Sequence, residues 1–190
     1  GADGYDSQER YKTSIKELER FGIDYEVIPG EFTEPSGYRA AEIIMAQKPD
    51  FPVDIFSFND EMAVGIYKYF SDRPEKIGRE IRLIGFDNIE LGTFMDPRLA
   101  TISYSKHRWG MVAAEKLMQL IKGESTEDEV IYTTFVAGDS FSWELKWVGT
   151  DIEQSMKTYF NTFCKKHFSI GLFILLEQRK TAPLHSYSIT

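Results

Sequence analysis

The chain has one cysteine, three histidines and no apolar run long enough to cross a bilayer. Cys164 alone cannot close an internal disulfide, so nothing calls for an oxidising compartment and a cytoplasmic location is expected. It cannot head a metal cluster either. His107, His167 and His185 are scattered and lie beside no nucleophile, no phosphate-cradling glycine loop and no set of ligands. No enzyme, no cofactor and no metal are therefore expected. The longest apolar run, Ile170 to Leu176, is interrupted by Gly171 and falls far short of the ~20 residues a membrane span needs. The opening G-A-D-G-Y-D shows no basic segment followed by an apolar one, so no signal peptide is read there. Basic charge is also scarce: 22 Lys and Arg against 30 Asp and Glu leave a net charge of −8. Gripping nucleic acid needs Lys and Arg clustered on one face, which argues against a DNA-binding surface in these residues.

What is present is the composition of an ordinary globular domain, and 190 residues suffice for a real core plus an extension. Residues 151–190 carry a small excess of Lys and Arg, which leaves the first 150 residues the more acidic part. That shift marks a candidate boundary.

Tyr11, Ile15, Leu18 and Phe21 recur at helical spacing before Gly22, which predicts a helix over 6–21. Tyr25 to Ile28 reads as a short strand, and Pro35 opens a helix continued by Ala40, Ile43, Ile44 and Met45. Val53 to Phe58 reads as a buried strand, followed after Asn59 by a helix with Met62, Ile66 and Phe70 on one side. Ile81 to Phe86 is the next strand. A turn through Asp96-Pro97 leads to an extended piece, Ala100 to Tyr104, then a helix over 105–122 with Trp109, Val112, Ala113, Leu117 and Leu120 on one stripe. Val130 to Val136 is β-branched and aromatic, hence a strand. This alternation predicts an α/β fold with a mostly parallel sheet flanked by helices. Residues 141–190 have no clear plan, although Ile152, Met156, Phe160 and Phe163 share the spacing of one more amphipathic helix.

Function is expected where a strand runs into a polar turn. I-R-L-I-G-F-D-N-I-E (81–90) and F-S-F-N-D-E-M-A-V-G (56–65) both do so. The carboxyl ends of strands are where open α/β sheets hold ligands.

Four blocks in this order resemble the effector-binding domain of LacI/GalR-type transcriptional regulators, which share a fold with periplasmic sugar-binding proteins. They are G-E-F-T-E-P-S-G-Y-R-A-A, F-N-D-E-M-A-V-G, I-R-L-I-G-F-D-N-I-E, and P-R-L-A-T-I followed by W-G-M-V-A-A-E-K-L-M-Q-L-I-K-G. The resemblance covers about residues 1–140. It implies one Rossmann-like subdomain of a periplasmic-binding-protein-like type I fold, incomplete, with helix 105–122 crossing over to a second subdomain. On that reading the first subdomain and the first strand of the second precede Gly1, and 141–190 are a tail or linker. The family's last strand usually ends with an arginine and a serine, whereas this chain reads V-A-G-D-S with Gly138 in the arginine's place.

The resemblance also implies ligand-binding residues, each with a plainer reading beside it. Arg10 matches an arginine that reaches into the cleft, where its planar fork suits hydroxyls or a carboxylate; the alternative is a solvated helix arginine. Asp87 matches the family's ligand-binding acid, or is simply a turn aspartate bonded to its own backbone. Asn59 suits a sugar hydroxyl but is also a preferred helix N-cap, and can serve both if Asp60 takes the cap. Phe32 falls where the family places a ring against a sugar or base, or is a loop aromatic tucked into the core. Asp60 and Glu61 are assigned no chemistry, since acids are expected at a helix start.

The implied function is sensing: a small-molecule effector, a sugar or related metabolite, binds between two subdomains and alters how a homodimer presents separate helix-turn-helix heads to DNA. Two alternatives remain, a periplasmic sugar-binding protein of an importer and the sensor of a hybrid signalling protein.

Overall fold

A computed structural model describes residues 5–141 and 173–176. The expected helix over 152–163, together with Cys164, His167 and His185, lies outside the described residues. The elements are α1 (Tyr5–Arg20), β1 (Tyr25–Ile28), α2 (Glu34–Ala46), β2 (Val53–Ser57), α3 (Asp60–Phe70), β3 (Ile81–Phe86), β4 (Ala100–Tyr104), α4 (Lys106–Ile121), β5 (Thr133–Val136) and β6 (Phe173–Leu176). A 3-10 turn spans Glu90–Phe94.

The six strands form one sheet in the order β1-β6-β2-β3-β4-β5. β2, β3 and β4 pair in parallel, and β1 runs the same way because both it and β2 are antiparallel to β6. Four strands therefore deliver their carboxyl ends to one rim. β5 returns antiparallel to β4 along the opposite edge. The expected Rossmann-like α/β architecture is observed, with two strands reversed within it.

β6 was not foreseen: it occupies the slot between β1 and β2, pairing Phe173 with both Ile28 and Ser57. The strand expected over Val130 to Val136 is shorter, beginning at Thr133. Thr133 pairs with Tyr104, the last residue of β4, so residues 130–132 have no strand beside them to join among the described residues.

Parallel register sets the two faces of the sheet. Val53 and Ile55 stand opposite Ile81 and Leu83, and all four belong to the main core with Ala40, Ala41 and Ile44 of α2 and Met62, Ala63 and Ile66 of α3. The two helices approach closely through glycines: a Cβ on Gly37 would lie 1.9 Å from the Met62 carbonyl oxygen, and one on Gly65 2.0 Å from that of Glu34. The opposite face carries the Asp54–Arg82 pair and then Phe56 beside Ile84, leading to Phe86 and Ile102.

The buried stripe of α1 differs from the apolar one read in the sequence. Tyr11 and Phe21 are exposed, and the buried positions are Arg10, Ser14 and Leu18, at steps of four. The stripe is rotated by one residue because the helix turns Arg10 toward the strand ends rather than toward solvent.

Candidate functional site

The rim is built from the segments that follow β1, β2, β3 and β4. Arg10 comes to it from α1 and is 2% exposed. Its Nη1 donates to the Phe58 carbonyl oxygen at 2.7 Å, just past the end of β2. Its guanidinium carbon lies 3.7 Å from the centre of the Phe86 ring, at the end of β3. A cation stacked on a ring face and largely desolvated is held firmly. The solvated helix arginine is not what the fold provides.

Asp87 follows Phe86 directly and is half-buried. Burial pushes its carboxyl above the usual range, while the positive charges of Arg10 and Lys106 pull it back. Burial likewise raises the Tyr104 hydroxyl, which also feels Asp87 and Arg10. Asp87, at the end of β3, thus lies within electrostatic reach of Arg10, Tyr104 and Lys106. An acceptor carboxylate beside a multidentate donor, with aromatic rings at hand, can take the alternating hydroxyls and C–H faces of a polyol.

Asn59 is 8% exposed and caps α3, its Oδ1 accepting from the Met62 N–H at 2.9 Å while its Nδ2 donates to the Phe32 carbonyl oxygen at 3.0 Å. Asp60 does not take the cap and so does not release Asn59. Asp60 instead points away from the helix start, receiving the Ile89 N–H at 2.9 Å and the Thr101 hydroxyl at 2.7 Å. It is fully buried, so the helix dipole alone does not account for it, whereas Glu61 is exposed.

Phe32 is half-buried and its side chain packs against the main core. Its loop is tied by the Ser36 hydroxyl, which accepts from Glu31 N–H at 3.1 Å and Thr33 N–H at 3.4 Å. The structure therefore joins Arg10 with Asp87 and joins Asn59 with Phe32, and the two pairs meet at the Phe58-Asn59 step.

Backbone strain gathers at the same place. Phe32, Asp87 and Asn88 have φ of 62°, 106° and 50°. Among the described residues only one other non-glycine residue, Lys48, has a positive φ. Each such residue costs about 1–3 kcal/mol and persists only where surroundings enforce it. Three of them lie in the two rim loops that follow β1 and β3.

Tyr104, Lys106 and Ser103 escaped the sequence reading, whereas Asn88 belongs to the polar turn it singled out. Asn88 Nδ2 donates to Ser103 Oγ at 3.3 Å. The S-Y-S-K stretch reads as the end of a strand and the cap of a helix, Ser105 accepting from the Arg108 N–H. Such capping hides any second role in the first turn. Among the described residues no group of three or more His, Cys, Asp or Glu side chains could hold a metal ion, and no helix is long and apolar enough to cross a membrane.

Comparison with known proteins agrees with this fold. The family model described as a periplasmic binding protein-like domain matches residues 2–141. The HTH-type transcriptional repressor PurR of Photobacterium profundum is 36% identical over 126 residues, 65% of this chain and 37% of that protein. A sugar-binding transcriptional regulator of the LacI family from Enterococcus faecalis is 60% identical, with a TM-score of 0.72, over 75% of this chain and 53% of that one. A LacI family regulator from Arthrobacter, solved in complex with lactose, is 26% identical with a TM-score of 0.60, over 69% of this chain and 50% of that one. The chain thus spans about a third to a half of the length of these relatives. With the matched model covering most of its residues, the chain belongs to the periplasmic binding protein-like domain family, in the form carried by LacI-type transcriptional regulators.

Proposed function

We propose that this chain supplies one wall of an effector cleft in a transcriptional regulator, and that Arg10 and Asp87 bind the hydroxyls of a sugar or related metabolite there. The observation that carries the reading is a buried arginine stacked on the Phe86 ring, with the half-buried carboxylate of the next residue, Asp87, within reach of its charge. Asn59 and Phe32 complete the wall, Asn59 through the one Nδ2 hydrogen its two bonds leave over. Lactose bound to the Arthrobacter relative and the sugar-binding nature of the Enterococcus regulator favour a carbohydrate.

In this reading residues 1–140 form the C-terminal effector-binding subdomain, helix 105–122 crosses to the other subdomain, and 141–190 act as a tail or linker. The protein works in the cytoplasm as a homodimer, performs no catalysis, and reaches DNA only through a helix-turn-helix domain outside these residues. Effector binding controls DNA affinity through its differential affinity for two poses of the subdomains.

The test is titration calorimetry of the full-length regulator against a panel of sugars and nucleosides. Arg10→Ala and Asp87→Ala should each weaken the ligand found by about tenfold or more, the scale of a lost charge-assisted hydrogen bond. Unchanged affinity in both variants would remove these residues from the site.

A further inference from the structure

We propose that Asn59-Asp60, at the junction of β2 and α3, is a two-armed brace that sets the geometry of both rim loops, with Asp60 the positioning residue for the Asp87 turn. The inference rests on the binding role proposed for Asp87, but its geometry stands apart from any ligand.

One arm is the Asn59 side chain, which holds the Phe32 carbonyl while anchored by the Met62 N–H. The other is Asp60. Three consecutive amides of the strained turn point at different partners. Asp87 N–H donates to the Ile102 carbonyl at 2.9 Å, Asn88 N–H to the Thr101 hydroxyl oxygen at 3.4 Å, and Ile89 N–H to Asp60 Oδ2 at 2.9 Å. The Thr101 hydroxyl in turn donates to Asp60 Oδ1 at 2.7 Å. The second and third ties therefore both end on one carboxylate.

Gly85 shows that the fold makes room for this. A Cβ at that position would lie 2.0 Å from Asp60 Oδ1, so a side chain there would expel the carboxylate. Left-handed φ at Asp87 and Asn88 is unfavourable for residues with a Cβ, and such backbone relaxes unless outside bonds enforce it. Asp60 supplies those bonds from a fully buried position at the start of a rigid helix. Because Asn59 and Asp60 are neighbours on that element, the Phe32 loop and the Asp87 turn are referenced to the same point and cannot shift independently.

The test compares wild type, Asp60→Ala, Thr101→Val and Thr101→Ser in the 190-residue chain, by amide hydrogen exchange. Asn88 and Ile89 should exchange about tenfold faster in Asp60→Ala and Thr101→Val, the scale of a lost hydrogen bond, with Ile55 and Leu83 protected as in wild type. Thr101→Ser keeps the hydroxyl and should restore slow exchange at both positions. Should Asp60→Ala fail to fold, the Val and Ser pair at position 101 decides alone. Unaltered exchange at Asn88 and Ile89 in Thr101→Val, or equal acceleration throughout β2 and β3, overturns the proposal.

Calorimetry with lactose and D-ribose on the full-length regulator carrying the same substitutions gives the functional arm. Where wild type binds either sugar, Thr101→Val should weaken it and Thr101→Ser recover it. Full affinity in Thr101→Val with an opened turn would sever the brace from binding. Failure of wild type to bind either sugar would count against the carbohydrate reading, while the exchange data would still decide the brace.

Discussion

Asp60 illustrates how one buried carboxylate shapes both stability and site. Burial raises its pKa to about 6, against the opposing pull of hydrogen bonds from Thr101 and Ile89. An unfolded aspartate titrates near ~3.9, so the native chain holds this proton more tightly than the unfolded one. Its contribution to stability is fully present below the unfolded value and is lost as the pH rises through about 6. At about 1.4 kcal/mol per pH unit of displacement, the loss is on the order of 3 kcal/mol. Asp54 and Asp87 are displaced in the same direction and add to the slope. Urea unfolding of wild type and Asp60→Asn between pH 4 and 7 should therefore show a smaller fall in stability with rising pH in the variant; equal slopes would mean that the proton does not reside on Asp60. At this scale Asp87 was legible because a polar pair directly after an apolar strand points to a rim. Asp60 was not, since an acid at a helix start already has an electrostatic reason to be there. Only the approach of Thr101, 41 residues away, reveals its second use.

Among the elements, the β2–β3 pair shows how register creates an interaction that neither strand announces. Asp54 stands opposite Arg82, and the two make contacts of 2.5 Å from Arg82 Nε to Oδ1 and from Nη2 to Oδ2. Their side chains are 10% and 7% exposed. Removing one partner of such a pair leaves a buried charge and costs about 3–5 kcal/mol, whereas replacing both with apolar residues is often neutral or better. Asp54→Ala and Arg82→Ala should each lower the urea midpoint sharply, and Asp54→Leu with Arg82→Leu should recover most of it. A double variant as weak as the singles would make the pair a net source of stability. The strands themselves were legible as apolar runs closed by turns. Their partners were not, because local periodicity says nothing about what lies alongside. β6 pairs with residues more than a hundred positions earlier, and Val130 to Tyr132, strand-like by composition, pairs with no strand among the described residues.

At the scale of the whole molecule, α4 stands out because none of its residues is buried. Trp109, Met111, Leu117, Met118, Leu120 and Ile121 are each at least half exposed, on a helix whose apolar stripe was read in the sequence. Amphipathic helices gain their stability from burying that stripe, and contiguous apolar patches of this kind mark interaction surfaces or aggregation hazards. The main core is built from α1, α2, α3 and the strands without any residue of α4. Disturbing the helix surface should therefore change association without unfolding the sheet. The isolated 190-residue chain is expected to bind an apolar-surface dye and to associate as its concentration rises, as dye fluorescence and sedimentation would report. Leu117→Glu with Leu120→Glu should reduce both signals and leave the urea midpoint within ~0.5 kcal/mol of wild type, the ordinary range for surface substitutions. A dye-silent monomer that these two changes destabilise would mean that the stripe is covered in solution and that α4 belongs to the folded core after all.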